Sequence, residues 1–177
     1  MKGSDVLGHV RAFAVTVLAL LALGAGAGLA WSWLAPRTVY AVTSAGTLIA
    51  DPSTQTLIAA DGWFALLTGG LGLLCGLAAW WAGRRHALQM VAGLCVGGAL
   101  AAFLALWIGS TFTLGTATVA AAPQPGIEFF AGPLQLTATG VLVAWPLLAV
   151  GLFALLEGVV AYRDSPLRKP YGSIPGE

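Results

Sequence analysis

Four apolar runs, Ala12 to Leu34, Trp63 to Gly83, Leu88 to Ile108 and Val141 to Tyr162, take up about half of a 177-residue chain. Between them they hold a single acidic or basic side chain, Glu157. Each has the length, about 20 residues, that a helix needs to cross a hydrocarbon layer roughly 30 Å thick. A chain that is 58% hydrophobic and 8% charged has about a third of the charge of a typical soluble domain, and no water-soluble core could hide that surface. The expected fold class is therefore all-α membrane: one integral membrane domain over 1–177, a bundle of four transmembrane helices near 12–34, 63–83, 88–108 and 141–162.

The polar remainder divides into outer segments 36–62 and 109–140, the turn Arg84-Arg85-His86, and the termini. Arg84-Arg85-His86 is short enough to make the second and third spans an antiparallel hairpin. Cationic residues are retained on the cytoplasmic side of a membrane. Lys2, Arg11, Arg84, Arg85, Arg163, Arg168 and Lys169 fall on one side and Arg37 alone on the other. This asymmetry predicts a multi-pass protein of the plasma membrane with both termini cytoplasmic. A cleaved signal peptide is the rival for the first span, with Ala25-Gly26-Ala27 as the cleavage site, but the apolar stretch is longer than a signal core.

Tryptophan prefers the headgroup level. Trp31, Trp33, Trp63, Trp107 and Trp145 are expected at the outer interface, and Trp80 and Trp81 at the inner one. Pro146 falls near the start of the fourth span, where a missing backbone donor costs little. The tail, 163–177, is rich in Pro, Gly and Ser and is expected to be disordered.

In the outer segments, Thr38 to Thr43 and Thr47 to Ala50 are rich in β-forming residues and flank Ser44-Ala45-Gly46, a hairpin signal. Phe112 to Ala120 is a further candidate strand. A near repeat, Thr47-Leu48-Ile49-Ala50-Asp51 and Thr56-Leu57-Ile58-Ala59-Ala60-Asp61, leads into the second span. A small extracytoplasmic β cap from the two outer loops is the expected arrangement, and two irregular loops the alternative.

Glycines at four-residue spacing, Gly24 and Gly28, Gly72 and Gly76, Gly93 and Gly97, put small residues on one face of three helices. Such faces let backbones approach closely, either within the chain or between copies. Glu157 is a functional-site hypothesis by position, with pairing to Arg11, Arg84 or Arg85 as the structural alternative. Asp61, just before Gly62-Trp63-Phe64, is expected to cap the second helix by accepting from the amides of Trp63 or Phe64. Cys75 and Cys95 read as buried, unpaired thiols. His9 and His86 lack any zinc spacing, and no phosphate loop, nucleophile elbow or paired-Cys motif occurs. No catalytic residue, metal or cofactor is expected.

Trp33-Leu34-Ala35-Pro36, the hairpin after it, and Ala60-Asp61-Gly62-Trp63-Phe64 together resemble an uncharacterised family of actinobacterial four-span membrane proteins. The resemblance implies architecture alone. A net charge of +1 provides no field for nucleic acid. The expected partners are the lipid bilayer and a membrane protein or a second copy. The expected function is a non-enzymatic scaffold or accessory subunit of an envelope complex, with a small oligomeric channel or transporter subunit as the alternative.

Overall fold

A computed structural model describes residues 3–43, 46–49, 55–83, 87–112, 128–132 and 134–165. Four helices carry the fold: α1, Gly3–Leu34; α2, Gln55–Gly83; α3, Ala87–Thr111; and α4, Ala144–Asp164. A 3-10 turn, Thr139–Val143, runs directly into α4. All four stretches are long and apolar enough to cross a membrane. Large apolar side chains stay exposed on every helix, among them Leu18, Leu66, Leu100 and Leu147. An exterior as oily as the interior is what a bilayer accepts and water does not.

The ends of the helices obey local chemistry. Ala35 precedes Pro36, and a residue before proline is steered out of the helical region. α1 accordingly closes with Ala35 N donating to Trp31 O at 2.9 Å, and the chain continues as strand from the β-branched and aromatic Val39-Tyr40. Pro146 falls in the first turn of α4, where its absent N–H removes no bond the helix needs.

Three short strands form an antiparallel sheet in the order β2-β1-β3: β1, Val39–Thr43; β2, Gly46–Ile49; and β3, Glu128–Ala131. Tyr40 pairs with Ile49 on one side and with Phe130 on the other. Gly132 N donates to Thr38 O, extending the β1–β3 ladder toward the helices. The strands near residues 38 and 47 thus form within a residue or so of their expected bounds. β3 has no counterpart among the expected strands. The candidate strand at Phe112 to Ala120 falls, beyond Phe112, outside the described residues.

The second span begins at Gln55, two turns before the expected Trp63. The two copies of the near repeat therefore adopt different structures: Thr47-Leu48-Ile49 lies in β2, and Thr56 to Asp61 is helix. The first copy runs into Asp51-Pro52, which disfavours helix. The second carries Ala59-Ala60 and continues unbroken into an apolar run.

Packing links α1 chiefly to α3, α2 to α4, and α3 to α4. The sequence neighbours α2 and α3, joined through Arg84-Arg85-His86, touch each other only sparsely, as do α1 and α2. The expected α2–α3 hairpin is thus adjacent in sequence, while its helices find their main partners elsewhere. The core is built around Trp31, Phe64, Leu94, Trp145 and Phe153.

Glycine decides where the close approaches occur. A Cβ on Gly24 would stand 2.6 Å from Ala101 O, and one on Gly28 2.6 Å from Ala105 O. On the other side of the bundle, Cβ atoms on Gly72 and Gly76 would run into the backbones of Trp145 and Ala149. Gly93 and Gly97 meet Thr16, Val17 and Leu20 of α1. All six glycines are used for contacts within one chain, so none of these faces is left over for a second copy.

Candidate functional site

Asp61 makes a carboxylate contact between distant parts of the chain. Its Oδ1 accepts from Thr137 N and its Oδ2 from Ala138 N, both at 2.9 Å. This corrects the expected cap on Trp63 or Phe64: α2 begins six residues before Asp61, so the amides of Trp63 and Phe64 lie inside a helix that needs no cap there. The carboxylate instead spans two successive amides at the head of the 3-10 turn that leads into α4. Consecutive N–H groups of this kind form an anion-binding concavity, and the positive end of the helical stretch favours the negative charge. Asp61 is therefore a latch from α2 to α4.

Next to it, Trp31 is fully buried and its Nε1 donates to Ala60 O at 2.9 Å. Its ring meets Phe64 edge-on, with centroids 5.1 Å apart. Trp145 is equally buried. These two tryptophans turn their rings into the core. Trp33, Trp63, Trp107 and Trp81 remain exposed, as an interfacial belt requires.

The hydroxyls of Ser32, Thr68 and Thr16 are spent locally. Ser32 Oγ donates to Leu29 O, Thr68 Oγ1 to Phe64 O, and Thr16 Oγ1 to Ala12 O. Each hydroxyl folds back onto its own helix, the usual way a small polar side chain is satisfied in an apolar medium.

Two charged side chains have buried atoms that are not satisfied in this way. Glu157, half-buried on α4, has its Oε2 buried without a hydrogen-bond partner. Among the described residues it makes no ion pair, so the expected pairing with Arg11 does not form. Arg84 and Arg85 lie outside the described residues. Arg37, between α1 and β1, has Nε and Nη2 buried without a hydrogen-bond partner. Sequence reasoning used Arg37 only as the exception to the charge asymmetry. Its being the sole cation of its side was the available signal.

Cys75 and Cys95 are free thiols. Cys75 is half-buried against the core, whereas Cys95 is exposed, contrary to the expected burial, because its face of α3 is turned away from the bundle. No cluster of His, Cys, Asp and Glu capable of holding a metal occurs among the described residues.

Fold and contacts together define a bundle of four helices, each apolar enough to span a membrane, consistent with a multi-pass membrane protein. No protein-family model, curated protein or solved structure matches the chain.

Proposed function

We propose that the protein is a non-enzymatic scaffold or accessory subunit of an envelope complex, lying in the plasma membrane with both termini in the cytoplasm. The observation that carries this reading is the sheet at the α1–α4 end of the bundle, in which β2 and β3 are both edge strands among the described residues. An edge offers a row of backbone donors and acceptors to a strand of another protein. The interior supports the same reading, since its hydroxyls are consumed within their own helices and line no polar path. In the orientation the Lys and Arg distribution favours, the sheet is an extracytoplasmic cap. Membership of the actinobacterial four-span family is part of this proposal and rests on the motif residues alone.

The test is gentle purification from the native membrane with in-cell crosslinking through the sheet. A reproducible protein partner is expected, crosslinked through residues of β2 or β3. Purification as an isolated chain, with no crosslinked partner, overturns the reading.

The buried, unpartnered Oε2 of Glu157 favours a second reading, a small oligomeric channel or transporter subunit, because an uncompensated carboxylate in an apolar bundle is costly. Proteoliposomes should then pass protons or cations, and Glu157→Gln should abolish the flux. Flux that is absent, or indifferent to the substitution, removes this reading.

A further inference from the structure

The weakly packed seam between α1 and α2 is closed at one end and open at the other. Trp31, Ala60 and Phe64 close it beside the sheet. Toward the opposite end the facing residues shrink to Ala19 on α1 and Ala78 and Ala82 on α2. A cavity of about 290 Å³ opens there, floored by Met90 and Leu94 of α3. Ala19, Ala78 and Ala82 are exposed, so the cavity opens sideways at the bundle surface. Its one hydroxyl, Thr16 Oγ1, is already committed to Ala12 O, so the walls present an almost wholly apolar surface.

Size and charge specify the occupant. An apolar cavity of about 150 Å³ takes one benzene, so this one accommodates a length of a single alkyl chain. A helix, about 10–12 Å across with its side chains, does not fit. Val15, Ala19 and Leu23 form one i, i+4 row along the cavity, and a row of this kind lines one helix face. Their eight-residue span is about 12 Å, close to one leaflet of a hydrocarbon layer roughly 30 Å thick. The same row continues one turn outward to Arg11, which is exposed and in no ion pair with a described residue. A greasy slot of leaflet depth with the cationic Arg11 one turn beyond it matches an anionic phospholipid.

We propose that the α1–α2 seam binds one anionic phospholipid, an acyl chain in the cavity and its phosphate on Arg11. The site depends neither on which side of the membrane this end faces nor on the accessory-subunit reading. A missing protein partner therefore leaves it standing, and its own failure leaves that reading untouched.

The test is native mass spectrometry of the full chain purified in mild detergent with acyl-matched phosphatidylglycerol and phosphatidylcholine in equal amounts. One retained lipid per chain is expected, with phosphatidylglycerol preferred. Arg11→Gln should reduce that preference about fivefold, the worth of one cationic contact, and Arg11→Lys should keep most of it. Ala19→Phe and, from the opposite wall, Ala78→Phe should each abolish retention while the chain still elutes as a folded species. Both positions are exposed alanines, so the larger ring fills the slot without entering the core. No retained lipid in the unsubstituted protein overturns the proposal. So does retention without head-group preference, retention unaffected by both phenylalanines, or a second polypeptide crosslinked in the seam in place of lipid.

Discussion

Asp61 shows how much one side chain can decide here. An acid preceding an apolar run reads as a cap on its own helix, yet the partners of Asp61 lie 76 and 77 residues away at Thr137 and Ala138. The pairing uses both carboxylate oxygens as acceptors, which changes the expected mutational pattern. Asn offers one acceptor and turns an NH2 toward the second amide, so Asp61→Asn should be nearly as destabilising as Asp61→Ala, each by about 1–2 kcal/mol. Thermal unfolding in detergent reads the difference, and an Asn variant as stable as the unsubstituted protein would contradict the two-oxygen latch. Trp31 makes a comparable claim at the same level. Trp31→Phe keeps an aromatic edge against Phe64 but loses the bond to Ala60 O, and about 1–2 kcal/mol of stability should go with it.

Between elements, the contacts are set by where a missing Cβ lets two backbones meet. Gly70 and Gly76 belong to the same helix, but a Cβ on Gly70 has open space within 4 Å while one on Gly76 collides with the Ala149 backbone. The same substitution should therefore have opposite signs. Gly76→Ala forces α2 and α4 apart at about 1–3 kcal/mol, whereas Gly70→Ala gains up to about 1 kcal/mol of helix propensity. Unfolding temperatures of the two variants in one detergent check this, and equal shifts would show that α2 and α4 do not meet at Gly76. The four-residue spacing was legible in the sequence; the partner of each face was not. Every helix is apolar on all sides, so periodicity marks no inward face. The near repeat makes the same point for conformation, because closely similar segments of five and six residues lead into strand and into helix according to the residues that come after each copy.

For the whole molecule, the arrangement of charge predicts sidedness. Reporter fusions after Gly83 and after Lys169 should read cytoplasmic, and fusions near Ser53 and Gln124 external; a reversed pair sinks the orientation. The four spans themselves were determined by sequence alone, for a physical reason. A helix satisfies its backbone hydrogen bonds internally, so a run of about 20 apolar residues needs no partner to be recognised as a span. The hairpin of β1 and β2 was legible likewise, since its pairing is local. Only the tertiary structure decided that α1 packs on α3 and α2 on α4, that Trp31 and Trp145 are interior, that β3 pairs with β1, and that Asp61 holds the turn that leads into α4. The cavity between α1 and α2 belongs to that second group. Each of these depends on contacts between segments far apart in the chain, and when nearly every side chain is apolar, hydrophobicity leaves their pairing open and shape settles it.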